Sequence, residues 1–314
     1  MKWIDRIGHR LRLNDLHVFL TVAEAGSMAK AAERLAISQP AVSKAIADLE
    51  HIIGRRLLDR TPQGVEVTAY GRALFRRGIS AFDELRQGVK DVEFLTDATA
   101  GELIVGCSEF IAAGFLTEVI VSFSRRYPNV TISVIAARNM WPECTLLRDR
   151  KVELLIGRVT NPFATEDLDI NVAFEDRLFV VSGEKNRWAG RRRIELPELA
   201  SEQWLLSSDV TFIQMLEEAF EACDLQPPKG SVKTYSIHQR ISLLRTQRFV
   251  SVLAGSVVRF NAVPFSLKVL PVHFPARPWP VAIITLKNRT VSPIVARFIG
   301  CIQEAGLMFR QKTM

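Results

Sequence analysis

Through the first hundred residues the apolar positions keep helical spacing, interrupted at short intervals by small or turn-forming residues. Over 13–26 (LNDLHVFLTVAEAG), Leu16, Phe19, Leu20 and Ala23 fall on one face, with Asn14 or Asp15 as N-cap and Gly26 as stop. A short second helix is predicted over Met28–Leu35, opened by Ser27. Ala36-Ile37-Ser38 then reads as a tight turn, and a third helix runs from about Gln39 to Ile52, with Pro40 in its first turn and Gly54 closing it. Two extended pieces, 57–60 and 65–67, flank Thr61-Pro62-Gln63-Gly64 and predict a β-hairpin. Thr68 caps a long helix to about Leu95. On it Leu74, Ala81, Leu85, Val92 and Leu95 form one apolar stripe, and Phe75, Ile79, Phe82 and Val89 a second. So wide an apolar surface points to packing against a partner chain, the alternative being packing on the helix's own domain.

After Thr96–Gly101 (TDATAG), a small, polar stretch read as a hinge, the pattern changes. Strands are predicted at 102–107, 130–136, 152–157, 177–182, 204–207, 249–253, 267–270 and 281–286, with helices near 110–125, 142–149, 211–223, 237–246 and 292–305. This alternation predicts an α/β domain with mostly parallel sheets.

Charge sharpens the division. Residues 1–77 carry 13 Lys/Arg against 8 Asp/Glu, whereas the remaining 237 carry 28 against 26, so most of the net charge of +7 sits in the first quarter. A basic module beside a nearly neutral domain fits a polyanion partner. Residues 27–50 (SMAKAAERLAISQPAVSKAIADLE) supply its chemistry. Ala29, Ala31, Ala32 and Ala36 let two helices cross closely, and Leu35, Ile37, Val42, Ile46 and Leu49 form the apolar wedge of a helix-turn-helix. Ser38, Gln39, Ser43, Lys44 and Asp48 then project outward. Gln39 and Ser43 can exchange hydrogen bonds with base edges in a major groove, and Lys44 can reach a guanine or a phosphate.

AAERLAISQPAVSKAIADLE followed by LLDRTPQGVEVTAYG closely resembles the N-terminus of LysR-type transcriptional regulators, over about residues 13–77. Leu58 stands where Phe is commoner in the wing, and Tyr70 replaces Ala before Gly71. The resemblance implies that Gln39, Pro40, Ser43 and Lys44 sit in the major groove, that Arg60 at the wing enters or flanks the minor groove, and that Ser38 and Thr68 touch phosphates. The fragments GELIVGCSEF, FSRRYPNVTISV, LLRDRKVELLIGR, RLFVVSG and RFVSVLAGSVV are similar to the family's effector domain, built like a periplasmic binding protein. The run SVLAGSVVRFNAVPFSLKVLPV resembles regulators of galactose-binding-protein and protocatechuate genes within the family, which implies a sugar or an aromatic acid as effector.

The implied architecture is a multidomain chain. A winged helix-turn-helix (1–68) and a dimerisation helix (69–97) precede an α/β effector domain (98–314). Within the last, subdomain I comprises about 101–165 and 271–314, and subdomain II about 166–270. Ligands of open α/β sheets bind at strand C-terminal ends, so Ser108 (also at a helix start), Arg138, Asn139, Trp141, Ser207, Ser208, Thr211 and Ser236 are the candidate effector contacts. The expected partners are promoter DNA bearing an interrupted palindrome, a small-molecule effector and further copies of the chain as a dimer or tetramer, with RNA polymerase as a further candidate.

Nothing in the chain points to an enzyme: there is no G-x-S-x-G, Walker A, G-x-G-x-x-G or H-E-x-x-H motif. The four cysteines lie far apart with no CxxC, so no metal or cofactor is expected. A solute-binding transport component would need an export signal, and the N-terminus shows no apolar h-region; no run of apolar residues is long enough for a membrane span. A cytoplasmic location is the resulting expectation. A purely architectural DNA-binding protein would leave the sensor-like remainder unused.

Overall fold

The three N-terminal helices stop where the backbone turns left-handed. In a computed structural model describing residues 10–62, 64–97, 100–137, 144–159 and 166–311, α1 (Leu13–Ala25) ends at Gly26 (φ 62°), α2 (Met28–Leu35) at Ala36 (φ 53°) and α3 (Gln39–Ile53) at Gly54 (φ 74°). Ala36 bears a Cβ, so its conformation costs on the order of 1 kcal/mol, offset by its N–H capping Ala32 and Glu33. Ser27 and Ser38 accept hydrogen bonds from the Lys30 and Ala41 amides as N-caps. Leu16, Phe19, Leu20, Val42, Ile46 and Leu49 make the shared core, and the buried Ala31, Ala32 and Ala45 let the helices approach.

A hairpin, β1 (Leu58–Thr61) and β2 (Gly64–Val67), is tied to the helices at both ends. The Glu50 carboxylate accepts the Leu57 and Leu58 amides at 2.7 and 3.1 Å, while the Val65 amide donates to the Gly26 carbonyl. At the start of α4 (Ala69–Thr96), Thr68 accepts from the Gly71 amide, and a Cβ at Gly71 would collide with the Leu57 carbonyl.

The two apolar stripes of α4 divide along the helix rather than by face. Leu74, Phe75, Ile79 and Phe82 pack on the core of the N-terminal helices, so own-domain packing accounts for the first half of both stripes. Leu85 (50%), Val89, Val92 and Leu95 (86%) stay exposed. The helix's last turns belong to the C-terminal unit. Lys90 Nζ bonds Glu153 Oε1 at 2.9 Å, Glu153 in turn accepts the Ile104 amide, and Phe94 packs on the first sheet's core beneath Arg297. The chain therefore divides into two compact units at Val89/Lys90, inside the helix, and not in the small polar stretch after it.

The C-terminal unit holds two five-stranded sheets. The first has the order β4 (Asn129–Ala136), β3 (Ala100–Cys107), β5 (Leu154–Arg158), β12 (Trp279–Leu286), β6 (Leu168–Asp176). The second runs β11 (Leu267–Val269), β7 (Leu178–Gly183), β10 (Val250–Ala254), β8 (Trp204–Leu206), β9 (Val232–Lys233). Alternate residues of β5 and β12 serve opposite faces. Leu154, Ile156, Val281 and Ile283 meet α6 (Phe115–Arg126) and α11 (Pro293–Gln311), while Leu155, Ala282 and Ile284 meet α7 (Thr145–Arg148) and its flanks. The second sheet packs on α8 (Val210–Glu221), α9 (Ile237–Leu244) and α10 (Gly255–Asn261).

Three expectations are corrected. The sheets are mixed rather than mostly parallel, because β12 returns antiparallel between β5 and β6, and β7 antiparallel beside β10. β6 belongs to the first sheet, so the crossing into the second comes after Asp176 and not near 166. The helix expected over 110–125 is two, α5 (Glu109–Ala112) and α6, because Gly114 between them takes a non-helical backbone (φ −137°, ψ −96°), close enough to the Ser256 backbone that a Cβ there would collide.

The Glu50 contacts predict that Glu50→Ala strands two amides beside the buried Leu57 and Leu58. Urea denaturation should show a loss of about 2–3 kcal/mol, with Glu50→Gln recovering much of it by keeping an acceptor.

Candidate nucleic-acid interface and ligand site

Helix α3 is buried on one side and polar on the other. Val42, Ala45, Ile46 and Leu49 face the core; Ser38, Gln39, Pro40, Lys44 and Asp48 are exposed, and Ser43 is half-buried. Gln39 and Ser43 are one turn apart, so amide and hydroxyl lie on the same face next to Lys44. Pro40 occupies the first turn, where its missing N–H leaves no helical bond unmade. The Ser38 hydroxyl accepts from Ala41, which leaves its own hydrogen to donate outward. Thr68 is different. Its hydroxyl donates to the Arg56 carbonyl at 2.9 Å and its amide to Leu57, so neither donor is available to a phosphate; its work here is to cap α4. Arg60 lies on β1, opposite Val65, and its side chain is outside the described residues.

The second cluster of functional chemistry lies where the chain passes between the two sheets. Asp176 ends β6, and β7 begins after a single residue. Its buried carboxylate accepts the Ser256 amide (3.1 Å) and hydroxyl (2.6 Å) at the first turn of α10, and lies 3.7 Å from Arg158 Nη2. From α5, Glu109 accepts the Ile237 amide at the start of α9, and Phe110 inserts into the core of the second sheet. Phe110 stacks on Phe212 of α8 at 5.9 Å, and Phe212 meets the edge of Trp279 at 6.4 Å. Against these rings lie two guanidiniums. Arg158 sits over Phe110 (5.0 Å) and Trp279 (4.9 Å), Arg240 over Phe110 (5.3 Å) and Phe212 (5.5 Å). Burial, opposed by Asp176 and Asp209, holds the Arg158 guanidinium below its ordinary range. Arg240 is lowered to about 10 by burial and by Arg158, with Glu109 and Asp209 opposing.

Comparison with known proteins decides the class. The family described as LysR substrate binding domain matches residues 96–306, and the bacterial regulatory helix-turn-helix protein, lysR family, matches 13–72. The chain belongs to the LysR family. Among its relatives, the HTH-type transcriptional regulator GbpR of Azospirillum brasilense is 25% identical over 298 residues, covering 94% of this chain and 87% of GbpR. The regulator YdcI of Escherichia coli K12 is 25% identical over 299 residues, 94% of this chain and 96% of YdcI. The fold is shared with full-length CbnR complexed with its target DNA (TM-score 0.65, 19% identity, 94% of this chain and 100% of that one). It is also shared with CrgA from Neisseria meningitidis (TM-score 0.54, 21% identity, 93% and 98%). This LysR-type protein is accordingly a DNA-binding transcriptional regulator with an effector-binding domain.

Within the regulator's second unit, the residues expected to hold an effector divide into those the structure describes and those outside it. Ser108 is half-buried after β3 but makes no cap bond, and the helix it opens is a single turn, too short to concentrate a dipole. Ser207 is fully buried and accepts the Asp209 amide, Ser208 is exposed, and Ser236 caps α9. Arg138, Asn139 and Trp141 lie outside the described residues, as does the side chain of Thr211. Sequence reasoning missed Arg158, Arg240, Phe110, Phe212 and Trp279. Arg240 was within reach of it, since it shares the face of Ile237, Ile241 and Leu244 and so puts a charge on the buried side of an amphipathic helix.

Asp176→Asn keeps an acceptor for Ser256 but removes the one carboxylate within 4 Å of Arg158 among the described residues. Calorimetry should show the C-terminal unit destabilised by about 3 kcal/mol, the order expected when one partner of a buried ion pair is lost.

Proposed function

We propose that this LysR-type regulator reads a promoter through the outward face of α3, as a homodimer or a pair of dimers, under control of a small molecule bound between the two sheets. The observation that carries the reading is the pairing of short hydrogen-bonding side chains, Gln39 and Ser43, with the cation Lys44 on one exposed helix face. The wing, carrying Arg60, supplies a sequence-independent contact beside the duplex. Ser38 donates to a phosphate, a role that Thr68 does not share.

The exposed stripe Leu85, Val89, Val92 and Leu95 pairs two chains along α4, which places two α3 helices on one face of DNA and accounts for an interrupted palindrome. CbnR, of the same fold, is described in complex with its target DNA, which supports the geometry. No described helix is long and apolar enough to cross a membrane; we place the regulator in the cytoplasm and assign it no enzymatic step.

Binding to the DNA upstream of the protein's own gene, followed by fluorescence anisotropy, tests the base reading. Gln39→Ala should weaken that complex by about 1–3 kcal/mol while leaving random DNA unaffected; Arg60→Ala should weaken both alike and reduce the salt slope by about one charge. Equal losses on both DNAs for Gln39→Ala would overturn it. For the pairing, Leu85→Glu buries a carboxylate in the stripe and should yield monomers in sedimentation velocity with impaired promoter binding; a full-affinity oligomer would show that another surface joins the chains.

A further inference from the structure

Two cations are buried side by side at the junction, and the acceptors they need are missing. Arg240 is fully buried, and among its nitrogens only Nη1 has an acceptor, the Val252 carbonyl at 3.2 Å; Nε and Nη2 have none. The Arg158 side chain is 9% exposed, its Nε and Nη2 equally lack acceptors, and its approach to Asp176 at 3.7 Å is beyond hydrogen-bond reach. A buried donor left without an acceptor forfeits its hydration, and native proteins rarely leave several together.

The neighbouring acids do not fill the need, because none of their oxygens lies within hydrogen-bond reach of these nitrogens; the bonds they make are to backbone and hydroxyl donors. Glu109 holds the Ile237 amide, Asp176 the Ser256 amide and hydroxyl, and Asp209 the Phe212 amide. Nor do these acids offset burial, since both guanidiniums remain below their ordinary range. Aromatic rings cover the guanidinium faces, and a ring face cannot accept in the guanidinium plane where the free N–H groups lie. A planar carboxylate can.

We propose that Arg158 and Arg240 form the reading head for an acidic effector, a small organic acid whose carboxylate takes the free N–H groups of the pair. The inference rests on the reading of a small-molecule site between the sheets and chooses between the sugar and the acid that the sequence left open. A sugar hydroxyl brings no charge to two buried cations; a carboxylate brings charge and two acceptors in one plane. Arg158 belongs to the first sheet and Arg240 to a helix packed on the second, so one acid held by both would bridge the subdomains.

The test uses the full chain and formate, the smallest carboxylate, with chloride at matched ionic strength as the control. So small a ligand reaches millimolar affinity at best, so it is titrated to roughly 200 mM, with Trp279 fluorescence and Tm as readouts. Trp279, one of five tryptophans, lies against Arg158, so an emission change that is lost in Trp279→Phe reports the site. Formate should produce a saturable change that formamide does not, and Arg240→Met should weaken it at least about tenfold. Larger acids, benzoate and succinate against benzamide and succinamide, then rank the effector, and inorganic phosphate is run alongside. Without ligand, Arg240→Met should leave Tm unchanged or higher, since it replaces an under-partnered buried cation by an apolar side chain of similar length.

A formate response absent, or equal in Arg240→Met, overturns the proposal, as does a response to phosphate alone. A clear fall in the ligand-free Tm of Arg240→Met assigns the pair a structural role and overturns it too. A saturable response to galactose that survives Arg240→Met would leave the small-molecule site standing and remove only its acidic ligand.

Discussion

The C-terminal unit turns on one carboxylate. Asp176 stands at the last position of β6, one residue before the chain enters the second sheet, and its two oxygens hold the first turn of α10 through Ser256. The Ser256 backbone passes so close to Gly114, at the break between α5 and α6, that a Cβ there would collide with it. That break in turn sets Phe110 on a single helical turn aimed into the second sheet's core, and Asn261 of α10 donates to the Ala113 carbonyl from the other side. A buried anion needs several partners to repay its desolvation, and here they come from both sheets. The same carboxylate therefore fixes a backbone crossing and partly compensates Arg158.

Energetically the junction resembles neither a plain apolar core nor a salt-bridge network. Phe110, Phe212 and Trp279 supply apolar area and ring faces for two guanidiniums, each such contact worth about 2 kcal/mol once water is excluded, well short of replacing lost hydration. By contrast the polar groups around the helix-turn-helix are paired locally: Glu50 with two amides, Thr68 with four backbone groups, Ser38 with its helix start. The helix-turn-helix itself is apolar on its buried side and polar on its outer side. The junction keeps its unpaired groups inside, which is where an enclosed ligand would meet them.

Much of this was legible in the chain. The N-terminal helices announced themselves because caps, stops and the apolar face agree at every level: Ser27 and Ser38 open helices, Gly26 and Gly54 close them, and Val42, Ile46 and Leu49 recur one turn apart. β6 (LDINVAFED) hid because acidic residues interrupt its apolar alternation; the buried Asp176 among them is a junction residue, and the rest are tolerated at a sheet edge. α10 was absorbed into the apolar run around Val250–Ala254, since a fully buried strand leading into a buried helix shows no change of periodicity. Hydroxyls at strand ends have two uses that a sequence does not separate: Ser207 and Ser236 accept nearby amides, work that any loop or helix start requires, and that bond leaves the hydrogen of each hydroxyl to donate. Long side chains arriving from the middle of an element, such as Arg240, escape a search of loops and strand ends.

Placing one arginine on each subdomain also bears on how binding could become a signal. A ligand shifts an equilibrium between arrangements only by the difference in its affinity for them. A molecule held wholly by one subdomain would bind equally however the other was placed, and would report nothing. One that needs Arg158 from the first sheet and Arg240 from a helix on the second binds well only when both converge, so its affinity difference is built into the separation of its contacts. The charge enlarges that difference, because separating the pair returns both the cations and the anion to water and forfeits hydrogen bonds that a low-dielectric site strengthens. The buried, under-partnered pair is in this sense costly to the empty protein and for the same reason responsive to the filled one.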